Sequence, residues 1–195
     1  MSRKEDTIMK DINKSLKQWL NELNHYQLTG YEKLPDIDLY MDQVITYLER
    51  QLLTFQLSSL DKQITSSMIN NYVKGEVIPS PTAKRYNKEH LALILEVCLL
   101  KKALSISNIK TILDSKYKNT DFAETYNDFT KEASQTLHNV AADTANKLEK
   151  IEINDQAALL DLALKLGLQA NANMLIAERI MNYIKIQNDL KPAAE

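Results

Sequence analysis

Four side chains within eight residues, Ser67, Asn70, Asn71 and Lys74, hold the most specific chemistry in this sequence. At helical spacing they fall together on one face, with Met68, Ile69, Tyr72 and Val73 on the other. The polar face is small, hydrogen-bonding and nearly free of acid, where a merely solvated face more often carries Glu and Lys pairs. Asparagine is also the side chain whose two-pronged amide matches the adenine edge in the major groove of duplex DNA. Ser and Asn occur on any short exposed helix, so this face alone carries little weight. Further on, Lys84-Arg85-Tyr86 closes a loop punctuated by Pro79 and Pro81. Two adjacent cations with an aromatic on a tight loop suit a phosphate backbone, against the plainer reading of a solvated loop. The expectation is base contact from Ser67, Asn70, Asn71 and Lys74, and phosphate contact from Lys84 and Arg85.

Charge distribution agrees. Residues 61–118 hold 10 Lys/Arg against 5 Asp/Glu, and the remainder holds 14 against 21, within a net charge of −2. A near-neutral chain that gathers its cations in one segment suggests a phosphate-facing surface. Other chemistries find little support. His25, His90 and His138 stand singly, without a metal-like partner three or four residues on. His90, in a helix first turn, reads as a surface or phosphate-side residue. No Gly-rich phosphate loop and no nucleophile motif occurs, so enzyme activity, a cofactor and a metal are not expected. The single Cys98 lies in an apolar run, which rules out an intrachain disulfide and suggests a reducing, cytoplasmic setting. The first 30 residues lack a signal-peptide apolar region, and no apolar run approaches the roughly 20 residues of a spanning helix. A membrane partner is not expected.

Positioning these residues falls to helices. Three Gly, four Pro and long stretches of helix formers predict a mainly α fold. Residues 7–28 place Ile8, Ile12, Leu16, Trp19, Leu20 and Leu23 at helical spacing, as in a helix packed on the core. After Gly30 and Pro35, Asp36 and Asp38 precede a second helix with Leu39, Val44, Tyr47 and Leu48, which fades from Phe55 to Leu60. Thr65 caps a helix over Ser66 to Lys74, ended by Gly75. Val77 and Ile78 are expected as one short strand of a wing, because a residue before proline favours extended geometry. Asn87 caps a helix running into Leu91–Leu100, which is apolar almost all round and therefore buried. Ser105 caps a further helix bearing Ile106, Ile109, Ile112 and Leu113. Tyr72 and Tyr86 are expected to support the fold with largely buried rings.

The order of these elements carries a resemblance. Ile69-Asn70-Asn71-Tyr72-Val73-Lys74, Val77-Ile78-Pro79, Lys84-Arg85-Tyr86-Asn87 and Leu104-Ser105-Ile106-Ser107-Asn108-Ile109 resemble the DNA-binding half of MerR-type transcriptional regulators. With Pro35-Asp36-Ile37-Asp38-Leu39-Tyr40-Met41-Asp42-Gln43-Val44 added, residues 34–115 are similar to an uncharacterised family of small bacterial MerR-like proteins. The resemblance implies a winged helix-turn-helix over 35–118. Asn70-Asn71-Tyr72 stands where MerR proteins usually have Arg-Tyr-Tyr, and Lys84 where their wings usually have Arg.

From Asp121, Phe122, Tyr126, Phe129, Ala133, Leu137 and Val140 recur mostly at steps of three and four, a stripe suited to another helix. A second helix is expected from about Asp155 to Gln187. MerR-type proteins dimerise through a long helix after the winged domain, and the resemblance implies that role for Phe122, Tyr126, Phe129, Leu137 and Val140. The same helices can instead close an intramolecular bundle or surround a small-molecule effector. The expected organisation is an N-terminal helix over 1–34, the winged domain over 35–118, and a helical dimerisation or effector module over 119–195. The expected function is a dimeric, sequence-specific transcriptional regulator with duplex DNA as its partner. The alternative is a helical protein-interaction module that keeps the scaffold without binding DNA.

Overall fold

The computed structural model describes residues 15–53, 64–152 and 155–190. Residues 15–25 form α1, followed by a 3-10 turn over Tyr31–Lys33. Then come α2 (Met41–Gln51), α3 (Ser66–Lys74), α4 (Lys88–Leu100), α5 (Ile106–Lys116), α6 (Phe122–Leu148) and α7 (Gln156–Leu190). The fold is mainly α, as its composition predicts. The expected start of the first helix, with Ile8 and Ile12, and the stretch from Phe55 to Leu60 lie outside the described residues.

The contacts divide the chain into two compact units. One unit joins Met1–Leu28 to Thr130–Ala170, and the other joins Thr29–Phe129 to Asn171–Glu195. In the first, Leu20 and Leu23 of α1 bury against Ala141 and Leu148 of α6, with Leu137, Leu159 and Leu162 packed around them. Trp19 points to solvent. The Leu28 amide donates to Ser134 Oγ at 3.1 Å, and His138 Nε2 lies 2.6 Å from the Tyr26 carbonyl oxygen, so His138 ties the chain after α1 to α6.

The second unit is built on α4. Every residue from His90 to Cys98 is buried, which a helix apolar on all sides requires. Val44 and Leu48 of α2, Ile69 and Tyr72 of α3, Ile109 and Leu113 of α5, and Tyr126 of α6 share its core. Capping sets where these helices begin. Thr65 accepts from the Met68 amide, Asn87 from the His90 amide and Ser105 from the Asn108 amide, each supplying an acceptor to an otherwise orphaned donor.

Two expectations change here. Among the described residues there is no strand, and Val77 and Ile78 are not extended wing. Both amides turn back to the Tyr72 carbonyl, at 2.9 and 3.3 Å, and both side chains are buried. Together with the Glu76 amide on the Val73 carbonyl (2.9 Å), this is a Schellman ending, with Val77 packed back over the helix. Gly75 ends α3 as expected, but the left-handed residue is Glu76 (φ 53°). The second change is His90, which is only 8% exposed and not a surface residue. Its Nδ1 accepts from the Asn87 amide at 3.2 Å, completing a reciprocal cap, and its ring meets Tyr86 edge-on. Burial lowers its pKa.

Glu96, 1% exposed in the middle of α4, is the costly member of this core. The Tyr117 hydroxyl donates to its Oε1 at 2.6 Å, while Oε2 has no partner among the described residues. Burial pushes its carboxyl up to about 7, with the Tyr117 hydrogen bond and the Lys116 charge opposing the rise. A carboxyl with a raised folded-state pKa adds stability below its unfolded value that is lost as pH climbs through the folded one. Glu96→Gln keeps an acceptor for Tyr117 and removes the charge. The variant is expected to melt near the wild type at pH 5 and above it at pH 8, by an amount on the order of 2–3 kcal/mol at most. Thermal melts across that range check this, and a gap that does not widen with pH contradicts the burial cost.

Candidate nucleic-acid interface

The polar face of α3 forms as its spacing predicts. Ser67, Asn70, Asn71 and Lys74 are exposed, Ile69 and Tyr72 are buried beneath them, and Met68 and Val73 are half-buried at the edges. The helix is held from below by the unit's core and at both ends by the Thr65 cap and the Schellman turn. Its outer residues therefore sit on a fixed surface.

The basic loop is ordered by means other than strands. Leu39 and Tyr86 exchange backbone hydrogen bonds, N–H to carbonyl in both directions at 2.9 Å, tying the loop to the start of α2. Thr82 and Arg85 close a two-residue turn, with the Arg85 amide on the Thr82 carbonyl at 2.9 Å. Ala83 and Lys84 have φ of 50° and 61°, the signs of a type I′ turn. Lys84 thus stands exposed at the tip and Arg85 at its shoulder.

Arg85 does not stand alone. A guanidinium N–H donates to the Tyr40 hydroxyl at 3.0 Å, and the guanidinium lies 5.1 Å from the Tyr40 ring centre. The contact is a hydrogen bond and a ring stack rather than an ion pair with a carboxylate, and it holds the Arg85 side chain in one orientation. Sequence reasoning did not single out Tyr40 as a site residue. It lies 45 positions from Arg85, and only the Leu39–Tyr86 pairing brings the two together. Neighbouring cations are differently placed. Lys88 is ion-paired with Asp36 (2.6 Å), which raises its pKa, and Lys110 with Glu76 (3.1 Å). Their charges are partly neutralised, so the local excess of cations reduces to fewer free positive groups than the sequence count suggests.

Tyr72 and Tyr86 are both buried, and burial raises both phenols, Tyr72 to about 12. Of the stripe read as a dimer seam, Phe122 stacks on Tyr117 with ring centres 4.4 Å apart, and Tyr126 is 1% exposed and edge-on to Tyr31. Phe129 is half-buried, Leu137 packs in the core of the α1 unit, and Val140 is exposed. Among the described residues no cluster of His, Cys, Asp or Glu can hold a metal ion, and no helix is long and apolar enough to cross a membrane.

Residues 29–129 match a family described as a domain of unknown function (DUF1836). The chain belongs to this family. The DUF1836 match coincides with the Thr29–Phe129 part of the α4-centred unit and contains all six candidate DNA contacts. No curated protein and no solved structure matches the chain.

The turn gives a test of this geometry. Left-handed backbone costs a residue with a Cβ about 1–2 kcal/mol, and Asn-Gly is the pair best suited to a type I′ turn. Replacing Ala83 and Lys84 by Asn and Gly is expected to stabilise the fold by about 1 kcal/mol, read as a higher midpoint in urea. A lower midpoint contradicts the turn.

Proposed function

We propose that this protein is a sequence-specific DNA-binding transcriptional regulator of MerR-like type, acting as a dimer in the cytoplasm. The observation that carries this reading is the exposed face of α3, where Ser67, Asn70, Asn71 and Lys74 stand over a buried base of Ile69 and Tyr72. A rigid short helix with amide and ammonium groups outward suits the major groove, and a turn with Lys84 and a pre-oriented Arg85 suits the adjoining phosphates. The charge excess of 61–118 supports the same assignment.

Dimerisation rests on α7 more than on the Phe122 stripe. Of fifteen large hydrophobic residues exposed among the described residues, nine lie on α7. Ile176, Ile180 and Tyr183 follow at steps of four and three, which places them side by side. Monomeric proteins rarely expose apolar patches beyond a few hundred Å2, and two-fold pairing would let two α3 helices read half-sites about 34 Å apart. The same exposed helix supports the second reading, a protein-interaction module that does not bind DNA.

Titration of a selected duplex with increasing salt separates the readings. Asn70→Ala is expected to relax preference at one base position by about 1–3 kcal/mol, and Arg85→Ala to weaken all sequences alike and reduce the salt slope by about 1. Binding unchanged in both variants contradicts the assignment, and an intact dimer without salt-dependent DNA binding supports the interaction module. Light scattering at micromolar concentration is expected to give a dimer for the wild type and a monomer for Ile180→Glu with Tyr183→Glu. A monomeric wild type removes the dimer.

A further inference from the structure

A cavity of about 460 Å3 opens among the end of α3, the loop that follows it, α4, α5 and the first residue of α6, all inside the DUF1836 match. Val77, Leu93 and Leu113 give it an apolar floor, and the stacked rings of Tyr117 and Phe122 stand along it. Three carboxylates, Glu76, Glu89 and Asp114, line it together with a single ammonium, Lys118. Glu76 is ion-paired with Lys110, whereas Glu89 and Asp114 have no ion pair among the described residues. The volume falls within the roughly 300–1,000 Å3 of small-molecule sites, which combine apolar walls with a few polar groups.

We propose that this cavity binds a small organic cation with an aromatic or alkyl body. The floor takes the body out of water, the Tyr117 and Phe122 rings offer π surface to a cation, and Glu89 and Asp114 are left to meet an ammonium group. With Glu76 held by Lys110, an anion of the same shape meets two unpaired carboxylates against one ammonium and is disfavoured. The site is distinct from the C-terminal helices where an effector was expected, and it does not depend on whether the protein binds DNA.

The test uses the full chain without DNA and three probes sharing one ring body: naphthylethylammonium, naphthylethanol and naphthylacetate at pH 7. Calorimetry is expected to give the cation at least about tenfold tighter binding than the carboxylate, as one favourable charge contact in partly desolvated surroundings implies. Glu89→Gln with Asp114→Asn, both at exposed positions, is expected to remove that preference while leaving the alcohol's affinity and the melting temperature unchanged. Equal binding of the three probes, a preference that survives the double variant, or no binding of the cation at millimolar concentration overturns the proposal.

Discussion

The DUF1836 unit depends on the burial of one helix whose middle turns have no solvent face. From His90 to Cys98, α4 is enclosed without a break, and each Leu, Ile or Val so buried contributes about 1.5–3 kcal/mol. Such a helix needs neighbours on several sides. Helices α2, α3 and α5 and the start of α6 supply them, each through a narrow apolar stripe. Once α3 turns Ile69 and Tyr72 into that core, the helix period leaves Ser67, Asn70, Asn71 and Lys74 outside. The candidate interface is thus a consequence of how α4 is covered.

Polar groups along α4 show what this enclosure costs. His90 is tolerated because its ring serves as the return half of the Asn87 cap. Its Nε2, however, has no partner among the described residues, and Glu96 is likewise only half satisfied. One oxygen meets Tyr117, the other meets nothing among the described residues, and its carboxyl rises toward neutrality. Tyr117 joins this buried carboxyl to the cavity it lines, so the cavity wall is anchored to the least comfortable charge in the core.

The two long helices divide differently between inside and outside. α6 commits Tyr126 to the α4-centred core, and further along Leu137, Ala141 and Leu148 to the core around α1. α7 buries Met181 and leaves most of its large apolar residues in water. An exposed apolar helix of this kind is a standing reason for association.

Local rules made much of this legible in the sequence. The caps at Thr65, Asn87 and Ser105, the all-apolar run of α4 and the two faces of α3 follow from side-chain chemistry within one or two helical turns. Membership in an uncharacterised family and a mainly α fold were readable from the same segments. What proximity along the chain could not supply came from the tertiary structure. The Leu39–Tyr86 pairing, the Tyr40 contact to Arg85 and the Tyr117 contact to Glu96 join residues 47, 45 and 21 positions apart, and nothing in their local pattern marks them as partners. Val77 and Ile78 show the same division. Their β-branched, proline-adjacent pattern favours a strand, yet the open carbonyls at the end of α3 and the core beneath claimed their amides and side chains. Short-range periodicity decides which face of a helix is apolar. Which surface covers that face, and which stays wet, is decided by packing between segments distant in sequence.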